Sequence, residues 1–298
     1  MERSFKTKKE FYKQFGKKSQ GAELLSRFMK NKAAVAGLIV FSFIVLVAVF
    51  APVIADYNKV AIKVDVMNRL SPPSAQHLMG TDEMGRDILA RVVHGARISL
   101  VVGISAVCVA LLIGGTLGSL SGYYGGWVDS IIMRTMDVLL CLPDVLLALA
   151  IIAAFGKSQR NMVISIGIAF TPKMSRIVRA AVMSVRSNEY IEAARAIGAR
   201  NGHIIVSHVL INCMGPIVVQ VTLYFANAIL TISALSFIGL GIDAPTPEWG
   251  NMLASGRAFM RDHAYIVMAP GLAIFFTILS LNLLGDGLRD TLDPRLKQ

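Results

Sequence analysis

The sequence predicts an all-α polytopic membrane protein with six transmembrane helices and both termini in the cytoplasm. Of its 298 residues, 54% are hydrophobic and only 16% are charged, which is too apolar a composition for a water-soluble domain. The apolar residues are grouped in blocks of about 20, the length that a helix needs to cross roughly 30 Å of hydrocarbon. Under a six-span topology about 20 of the 30 Lys and Arg residues lie on the side of the N-terminus, as the positive-inside rule expects.

The positive charge of the chain is explained by its membrane topology. A net charge of +11 is also typical of nucleic-acid-binding proteins, but here the basic residues flank apolar blocks and are not interleaved with aromatic residues. The three cysteines show neither pairable nor C-x-x-C spacing; they are Cys108, Cys141 and Cys213. We therefore expect no nucleic-acid partner, no disulfide framework and no metal site.

The spans follow from the apolar blocks. Residues 1–32 form a basic cytoplasmic tail, and the block at 33–55 is too long for an ordinary cleaved signal peptide, so it is predicted to be a retained first helix. After an extracytoplasmic segment at 56–97, residues 98–298 form the core membrane domain, which includes the inner loop at about 182–211. Its five spans are predicted at residues 98–121, 130–155, 162–181, 212–238 and 265–285.

The fourth span is the least apolar of the six. After about ten apolar residues it meets Lys173, Arg176 and Arg179, so its inner half is expected to emerge into the cytoplasm. Crossing is still favoured, because the positive-inside bias supports a C-terminus on the cytoplasmic side.

Two outer loops and one inner loop are left by this topology, and non-lipid chemistry is expected there. The outer segment 56–97 carries Arg86, Asp87, Arg91 and Arg97 among apolar residues, a spacing that favours an amphipathic helix near the membrane surface, with a charged loop as the alternative. In the second outer loop, two prolines precede Glu248 and Trp249, and an indole is typical of a membrane interface.

Charged residues within the third span need partners, because charge is costly in hydrocarbon. Arg134 and Asp137 are three residues apart and are expected to pair with each other. Asp144, after Pro143, is expected to lie deeper and to face a cavity or a neighbouring helix. In the second span, small residues favour close helix packing; they are Gly114, Gly115, Gly118 and Gly122.

The sequence has no catalytic constellation. It contains no G-x-x-x-x-G-K-[ST] loop, since Ile151 stands where Gly156-Lys157-Ser158 would need its leading glycine. It also lacks a G-x-S-x-G elbow and an H-E-x-x-H pair. No catalytic residue is therefore predicted, and the energy for any uphill transport has to come from another subunit.

The inner loop, about 182–211, contains a candidate docking helix. Asn188 suits its N-cap and Gly198 its C-terminal end. Ile191, Ala194 and Ile197 are predicted to share one face, and Glu192 and Arg195 another. Such a small helix fits a socket on a partner, where the Glu192 carboxylate would pair with an arginine; an ordinary surface helix is the alternative.

The series Glu192-Ala193-Ala194, then Gly198, Ile205 and Leu210, resembles the EAA loop of ABC-importer permeases, although Ile211 stands where that pattern has proline. Three further stretches resemble the permeases of the dipeptide, oligopeptide and nickel family. They are Gly80–Asp87 leading to Gly95–Leu100, Pro245–Leu253, and Leu284–Asp290 with Leu292-Asp293-Pro294. Four motifs in order extend the resemblance over about residues 21–298.

The resemblance implies a type I ABC-importer permease in the cytoplasmic membrane of a bacterium. It implies a homologous second permease, two cytoplasmic ATP-binding subunits and an extracytoplasmic solute-binding protein. ATP and Mg would be used by the partner subunits, and no cofactor would be bound by this chain. Glu192, Ala193, Ala194 and Gly198 would be the residues that couple this chain to the ATPase.

The resemblance also suggests roles for outer and membrane residues. Arg86, Asp87, Glu248 and Trp249 would lie where the binding protein docks or where an outer gate closes, and Asp144 would line the pathway and bind the ammonium group of a peptide. Peptide is the commoner substrate of such systems, with nickel or a metal chelate as the alternative. A stand-alone secondary transporter would instead need ion-relay carboxylates in several spans and no coupling helix.

Overall fold

The computed structural model describes residues 20–292, which form helices and, within that range, no β-strand beyond an isolated bridge between Thr81 and Asp87. The connections are short except for the outer segment between Ile54 and Ile88 and the loop between Phe237 and Trp249. The basic tail up to residue 19 and the terminal Asp293 and Pro294 lie outside the described residues. The helices of the first half are α1 (Gln20–Lys30), α2 (Lys32–Val49), α3 (Ala51–Ile54), α4 (Ile88–Tyr124), α5 (Gly126–Leu140) and α6 (Asp144–Phe155). Those of the second half are α7 (Gln159–Val185), α8 (Glu189–Ala196), α9 (Asn201–His203), α10 (Ile211–Phe237), α11 (Trp249–Gly256) and α12 (Tyr265–Leu292).

Helices α4 and α7 form the centre of the bundle and pack closely through glycine. A Cβ atom on Gly118 would lie 2.3 Å from the carbonyl oxygen of Ser175 in α7. Gly114 and Gly122, one turn to either side, meet the α7 backbone in the same way, at 2.6 and 2.8 Å. The small-residue packing predicted for this helix is therefore confirmed at three positions, while Gly115 points toward Leu111 of its own helix.

Around this pair, α2 packs against α12, and α10 contacts α4, α7 and α12. Four helices are long and apolar enough to cross a membrane: α2, α4, α12 and the helix that runs from Asn201 to Phe237. The bent pair α5 and α6 would make a fifth span. Helix α7 coincides with the predicted fourth span but is less apolar, because its inner half contains Lys173, Arg176 and Arg179.

The third predicted span is two helices and not one. The axes of α5 and α6 differ by 85°, and the break lies at Cys141–Pro143. Proline lacks the backbone N–H and disfavours helical geometry in the residue before it, so Pro143 ends α5 and starts α6. Residues of α5 and α7 line a cleft between these two helices.

The predicted amphipathic helix before residue 97 is not a separate element. Helix α4 begins at Ile88, capped by the Asp87 carboxylate, which accepts a hydrogen bond from the Ala90 N–H at 2.8 Å. It runs without a break to Tyr124, so residues 97 and 98 lie in one helix. Gly95 lies within this helix without interrupting it, and the polar residues Arg91 and His94 of its first turns are buried under the outer loops.

Candidate functional site

The predicted docking helix is α8, and its two ends follow the sequence signals. Asn188 occupies the N-cap position, although its side chain makes no capping hydrogen bond. Gly198 ends the helix in the left-handed region, with φ of 81°. The N–H of Gly198 donates to the Arg195 carbonyl at 2.9 Å and that of Ala199 to the Ala194 carbonyl at 3.1 Å, the two bonds of a Schellman motif.

One face of α8 is buried and the other is exposed. Ile191 and Ala194 pack against the bundle, whereas Glu192 and Ala193 are exposed. Ile197, predicted to share the buried face, is instead 85% exposed. It is the C-cap residue, and the chain has left the helical path before its side chain can reach the core. The exposed face therefore carries a carboxylate, a small residue and an apolar side chain.

The buried side of α8 is attached to the inner end of α4. The Arg195 guanidinium lies 5.0 Å from the centre of the Tyr123 ring, and its Nε donates to the Tyr123 hydroxyl at 3.4 Å. That hydroxyl donates in turn to Asn201 Oδ1 at 2.9 Å. Arg195 is thus directed toward Tyr123, and Glu192 forms no ion pair with any residue from 20 to 292.

After a non-helical turn at residues 197–200, the chain from α9 to α10 is helical. Residues Ile204–Leu210 form π-helical turns between α9 and α10, and Ile205 within them is buried. Ile211 stands at the position where the EAA pattern has proline, and the helix passes through it without a break. A π-helical stretch is rare and is often found at functional positions. The π-helical turns contact α8 and continue directly into α10.

In the outer segment, the charged residues of the Gly80–Asp87 motif are buried. The Asp82 carboxylate accepts hydrogen bonds from Arg86 Nε at 2.7 Å and from the backbone N–H groups of Met84 and Arg86 at 2.8 and 2.9 Å. Arg91 Nε lies 3.3 Å from the same carboxylate. Asp87 caps α4 and bonds His77 at 2.9 Å. These groups hold the outer loop against the start of α4.

The Pro245–Leu253 motif packs on the same part of α4. Glu248 is fully buried and caps α11, accepting hydrogen bonds from the N–H groups of Gly250 at 2.7 Å and Asn251 at 2.9 Å. Burial raises the pKa of the Glu248 carboxyl above its ordinary value, although these hydrogen bonds oppose the shift. The Trp249 indole N–H donates to the Val92 carbonyl at 2.9 Å, and Trp249 is 1% exposed.

The side chains predicted to lie where the binding protein docks or an outer gate closes are directed into the chain, and their part in docking stays a prediction. Arg86, Asp87, Glu248 and Trp249 are all buried, and their polar groups bond within the chain. A sequence pattern identifies charged and aromatic residues in an outer loop but does not show whether they point inward. The structure thus gives them the role of joining the two outer motifs on α4, and closure of an outer gate stays a prediction.

A row of ion pairs joins α7 to α5 and α6. The three cations lie at every third residue of α7, and their partners lie on the other two helices. The pairs are Lys173 with Asp144 at 2.5 Å, Arg176 with Asp137 at 2.5 Å, and Arg179 with Asp129 at 2.6 Å. Of the two surroundings expected for Asp144, a cavity or a neighbouring helix, the structure shows the neighbouring helix, because Asp144 bonds Lys173 of α7.

Arg134 does not pair with Asp137. Asp137 bonds Arg176 instead, because the break at Pro143 brings α5 across the inner half of α7. Arg134, Asp137 and Arg176 line a polar cleft of about 520 Å³ between α5 and α7. In the part of the chain that the structure describes, Arg134 makes no ion pair.

Two family models match the chain. The model described as "Binding-protein-dependent transport system inner membrane component" matches residues 114–298. The model described as "N-terminal TM domain of oligopeptide transport permease C" matches residues 19–73. Together they include the first helix, the docking helix and the ion-pair row.

Curated relatives match over almost the whole length. The chain is 47% identical to the dipeptide transport system permease protein DppC of Alkalihalophilus pseudofirmus, over 92% of this chain and 90% of the relative. It is 46% identical to the di/tripeptide transport system permease protein DppC of Pseudomonas aeruginosa, over 92% of both chains. It is 42% identical to the glutathione transport system permease protein GsiD of Pectobacterium atrosepticum, over 92% of this chain and 91% of the relative.

A solved structure shares the fold. A chain of the MetNI methionine ABC transporter, in an inward-facing conformation, superposes with a TM-score of 0.57 at 14% sequence identity. The match covers 69% of this chain and 98% of that chain. At this identity the likeness establishes the fold of the helical core and nothing about the substrate.

Proposed function

The chain belongs to the family of inner-membrane components of binding-protein-dependent transport systems, and from that premise we propose that it conducts di- and short oligopeptides into the cell. It is a permease subunit of an ABC importer and not an ATPase. The substrate class is supported by relatives named for dipeptides, di- and tripeptides and glutathione, itself a peptide.

The importer supplies what this chain lacks. A partner permease, an ATPase and a solute-binding protein belong to this class of transporter. In our proposal the partner permease is a homologous second chain, and each of the two permeases engages one of two ATPase subunits. ATP and Mg are used by those subunits, and this chain binds no cofactor. The absence of a phosphate-binding loop from the sequence supports this division.

The observation that carries the proposal is the exposed face of α8 at the inner end of the bundle. Ala193 lets a partner surface approach closely, the Glu192 carboxylate is available to an arginine of that partner, and Ile197 adds an apolar contact. Gly198 fixes the end of this surface by its left-handed conformation. Movement of the ATPase would then reach α4 through Tyr123, and α10 through the π-helical turns.

We also propose a topology of six spans with both termini in the cytoplasm. Helix α7 supplies the remaining span, which is the fourth in chain order. Its low apolarity is compatible with a membrane position because it packs against Gly114, Gly118 and Gly122 of α4. Its three cations are neutralised by the carboxylates of α5 and α6. The helices α5 and α6 together make the third span.

The pathway in this proposal lies along the ion-pair row, and Asp144 contributes to it. Arg176 and Asp137 side chains are 54% and 55% exposed on the isolated chain. Exposure of these two charged side chains to lipid would cost free energy, so in this proposal this side of the bundle faces water or the second permease. The buried outer residues, among them Glu248 and Trp249, stabilise the outer loops, and exposed residues of these loops such as Met67 contact the binding protein.

Gentle purification of the tagged chain from its own host tests the proposal. We expect a homologous permease and two ATPase subunits to co-purify, with ATP hydrolysis stimulated by a binding protein loaded with peptide. A chain that purifies alone under conditions in which its relatives retain their subunits would contradict the proposal. Stimulation by loaded nickel- or metallophore-binding protein, and none by peptide, would contradict the substrate class only.

A further inference from the structure

The cleft between α5 and the inner half of α7 contains one more positive charge than the carboxylates that line it can neutralise. It has a volume of about 520 Å³ and is lined by three guanidinium groups and two carboxylates, which leaves one positive charge. Arg176 and Arg179 are engaged by Asp137 and Asp129, so the uncompensated group is Arg134. The volume is within the range of small-ligand sites, roughly 300–1,000 Å³.

An arginine in this position needs a partner. Arg134 is in the middle of α5, within the bent pair of helices that is apolar enough to be a span. A guanidinium group in a membrane segment is retained where it meets a counter-charge, and its planar fork is best matched by a carboxylate, which it binds through two hydrogen bonds. Among the described residues Arg134 makes no ion pair, and the two carboxylates of the cleft bond Arg176 and Arg179, so we look for its counter-charge outside the chain.

We propose that Arg134 binds the C-terminal carboxylate of the transported peptide in this cleft. This inference rests on the proposed function and deepens it by assigning a binding site on the permease itself. Every free peptide carries that carboxylate whatever its side chains are, so such a contact suits a transporter that accepts many sequences. Asp137 bonds Arg176 through Oδ1, and its second oxygen, which has no partner among the described residues, is available to the ammonium group of the same peptide.

The test compares Arg134→Gln with the wild type in proteoliposomes that contain the complete importer, with saturating binding protein. Two substrates are used, a radiolabelled dipeptide and its C-terminal amide, each at concentrations shown to saturate the binding protein. We expect Arg134→Gln to reduce uptake of the free dipeptide roughly tenfold per ATP hydrolysed, the usual effect of losing a charge-assisted contact. Arg134→Lys is expected to retain part of the uptake, because it keeps the charge and loses the fork.

The amide provides the decisive comparison. It lacks the carboxylate, so the wild type should import it as slowly as Arg134→Gln imports the free peptide, and Arg134→Gln should reduce amide uptake no further. Arg160→Gln is the matched control, since Arg160 is exposed at the opposite end of α7 and outside the cleft. It should leave both substrates unaffected.

Three results would overturn the inference. Uptake of the free dipeptide by Arg134→Gln could equal that of the wild type, in which case Arg134 is a solvated charge or contacts a lipid phosphate. Equal loss for the acid and the amide would show a structural role. Loss of the second permease from the purified Arg134→Gln complex would show that Arg134 binds a carboxylate of the second permease and not of the peptide. Failure of the wild type to import peptide would instead refute the proposed function.

Discussion

Asp144 and Lys173 bond each other at 2.5 Å, at the end of the ion-pair row closest to the middle of α7. In our account this pair lies beside the pathway, so we expect Asp144→Asn to lower peptide uptake by leaving Lys173 without its counter-charge in a membrane segment. Uptake in proteoliposomes measures the effect. The double variant Asp144→Asn with Lys173→Gln separates two roles for Asp144. Recovery of uptake in that variant would mean that the carboxylate only neutralises Lys173, whereas continued loss would support contact with the substrate.

Trp249 and Met67 are predicted to behave in opposite ways. Trp249→Ala removes a large buried side chain and its hydrogen bond to Val92, and should destabilise the protein by about 3–5 kcal/mol without weakening the binding protein's affinity for the folded fraction. Met67 is 94% exposed in the outer segment, so Met67→Ser should weaken docking and leave stability unchanged. Thermal unfolding and binding-protein titration distinguish the two effects. A normal melting temperature with lost docking in Trp249→Ala would restore the role expected from sequence.

At this scale the sequence predicts chemistry better than it predicts partners. The sequence predicted correctly that Glu192 lies on the short helix α8 and that Gly198 ends it. Both features depend only on neighbouring residues, since an acidic residue stabilises a helix N-terminus and a glycine its C-terminal end. The sequence assigned Asp137 to Arg134, which is its neighbour along the helix, whereas the structure pairs it with Arg176 from another helix. It also could not show that Glu248 and Trp249 point inward, because burial depends on the packing of distant segments such as α4.

Among the helices, the contact of α4 with α7 depends on glycine at particular positions. Gly118→Ala would place a Cβ atom 2.3 Å from the Ser175 carbonyl oxygen, so the two backbones would have to separate, at a cost of about 1–3 kcal/mol. Gly115→Ala, three residues earlier, meets only Leu111 at 3.5 Å and should be neutral or slightly stabilising. Melting temperatures of the two variants in the same detergent provide the comparison. Equal melting temperatures would contradict the close packing of these helices.

The exposed face of α8 is predicted to couple the permease to the ATPase. Glu192→Lys reverses the charge at the centre of that face, so we expect normal membrane insertion and loss of transport, because an arginine on the partner would be repelled. Glu189→Lys makes the same change one turn earlier and serves as the control, with most of the uptake retained. Wild-type uptake by Glu192→Lys would show that this face is not the coupling surface.

For the helices themselves, apolar block length predicted where most spans lie but not how they join or bend. The first span and the last two are where the apolar blocks place them. The bend of 85° after Leu140 depends on a single proline inside an apolar block, and hydropathy does not register it. A helix was expected before residue 97, but its continuity with the second span was missed, because Arg91 and His94 interrupt the apolar residues of its first turns and are buried under the outer loops.

At the scale of the molecule, three regions of residues 20–292 combine charged and polar groups: the outer loops packed on α4, the ion-pair row beside α7 and the docking helix α8. Helix α7 connects the last two, since it carries the cations of the row and leads directly to α8. The rest of the surface of the membrane-spanning helices is largely apolar. Such a distribution suits a subunit that takes substrate from one protein, passes it along a polar path and receives force from another.

The assembly lies beyond what one sequence or one chain can determine by physical argument alone. The excess of apolar residues and the basic flanks predict a membrane protein, and the missing phosphate-binding loop predicts dependence on another subunit. The second permease and the ATPase supply contacts that are absent from this chain. The family resemblance indicates that such partner subunits exist, and the relatives named as dipeptide and di/tripeptide transport system permeases confirm the resemblance.

ATP-dependent uptake of a labelled dipeptide by the reconstituted complex tests the central claim most directly. We expect peptide to accumulate inside proteoliposomes only when both permeases, the ATPase subunits, loaded binding protein and hydrolysable ATP are all present. Omission of ATP, or of the ATPase subunits, should abolish accumulation. Peptide transport by this purified chain alone, without ATP, would contradict the account and identify the protein as a secondary transporter.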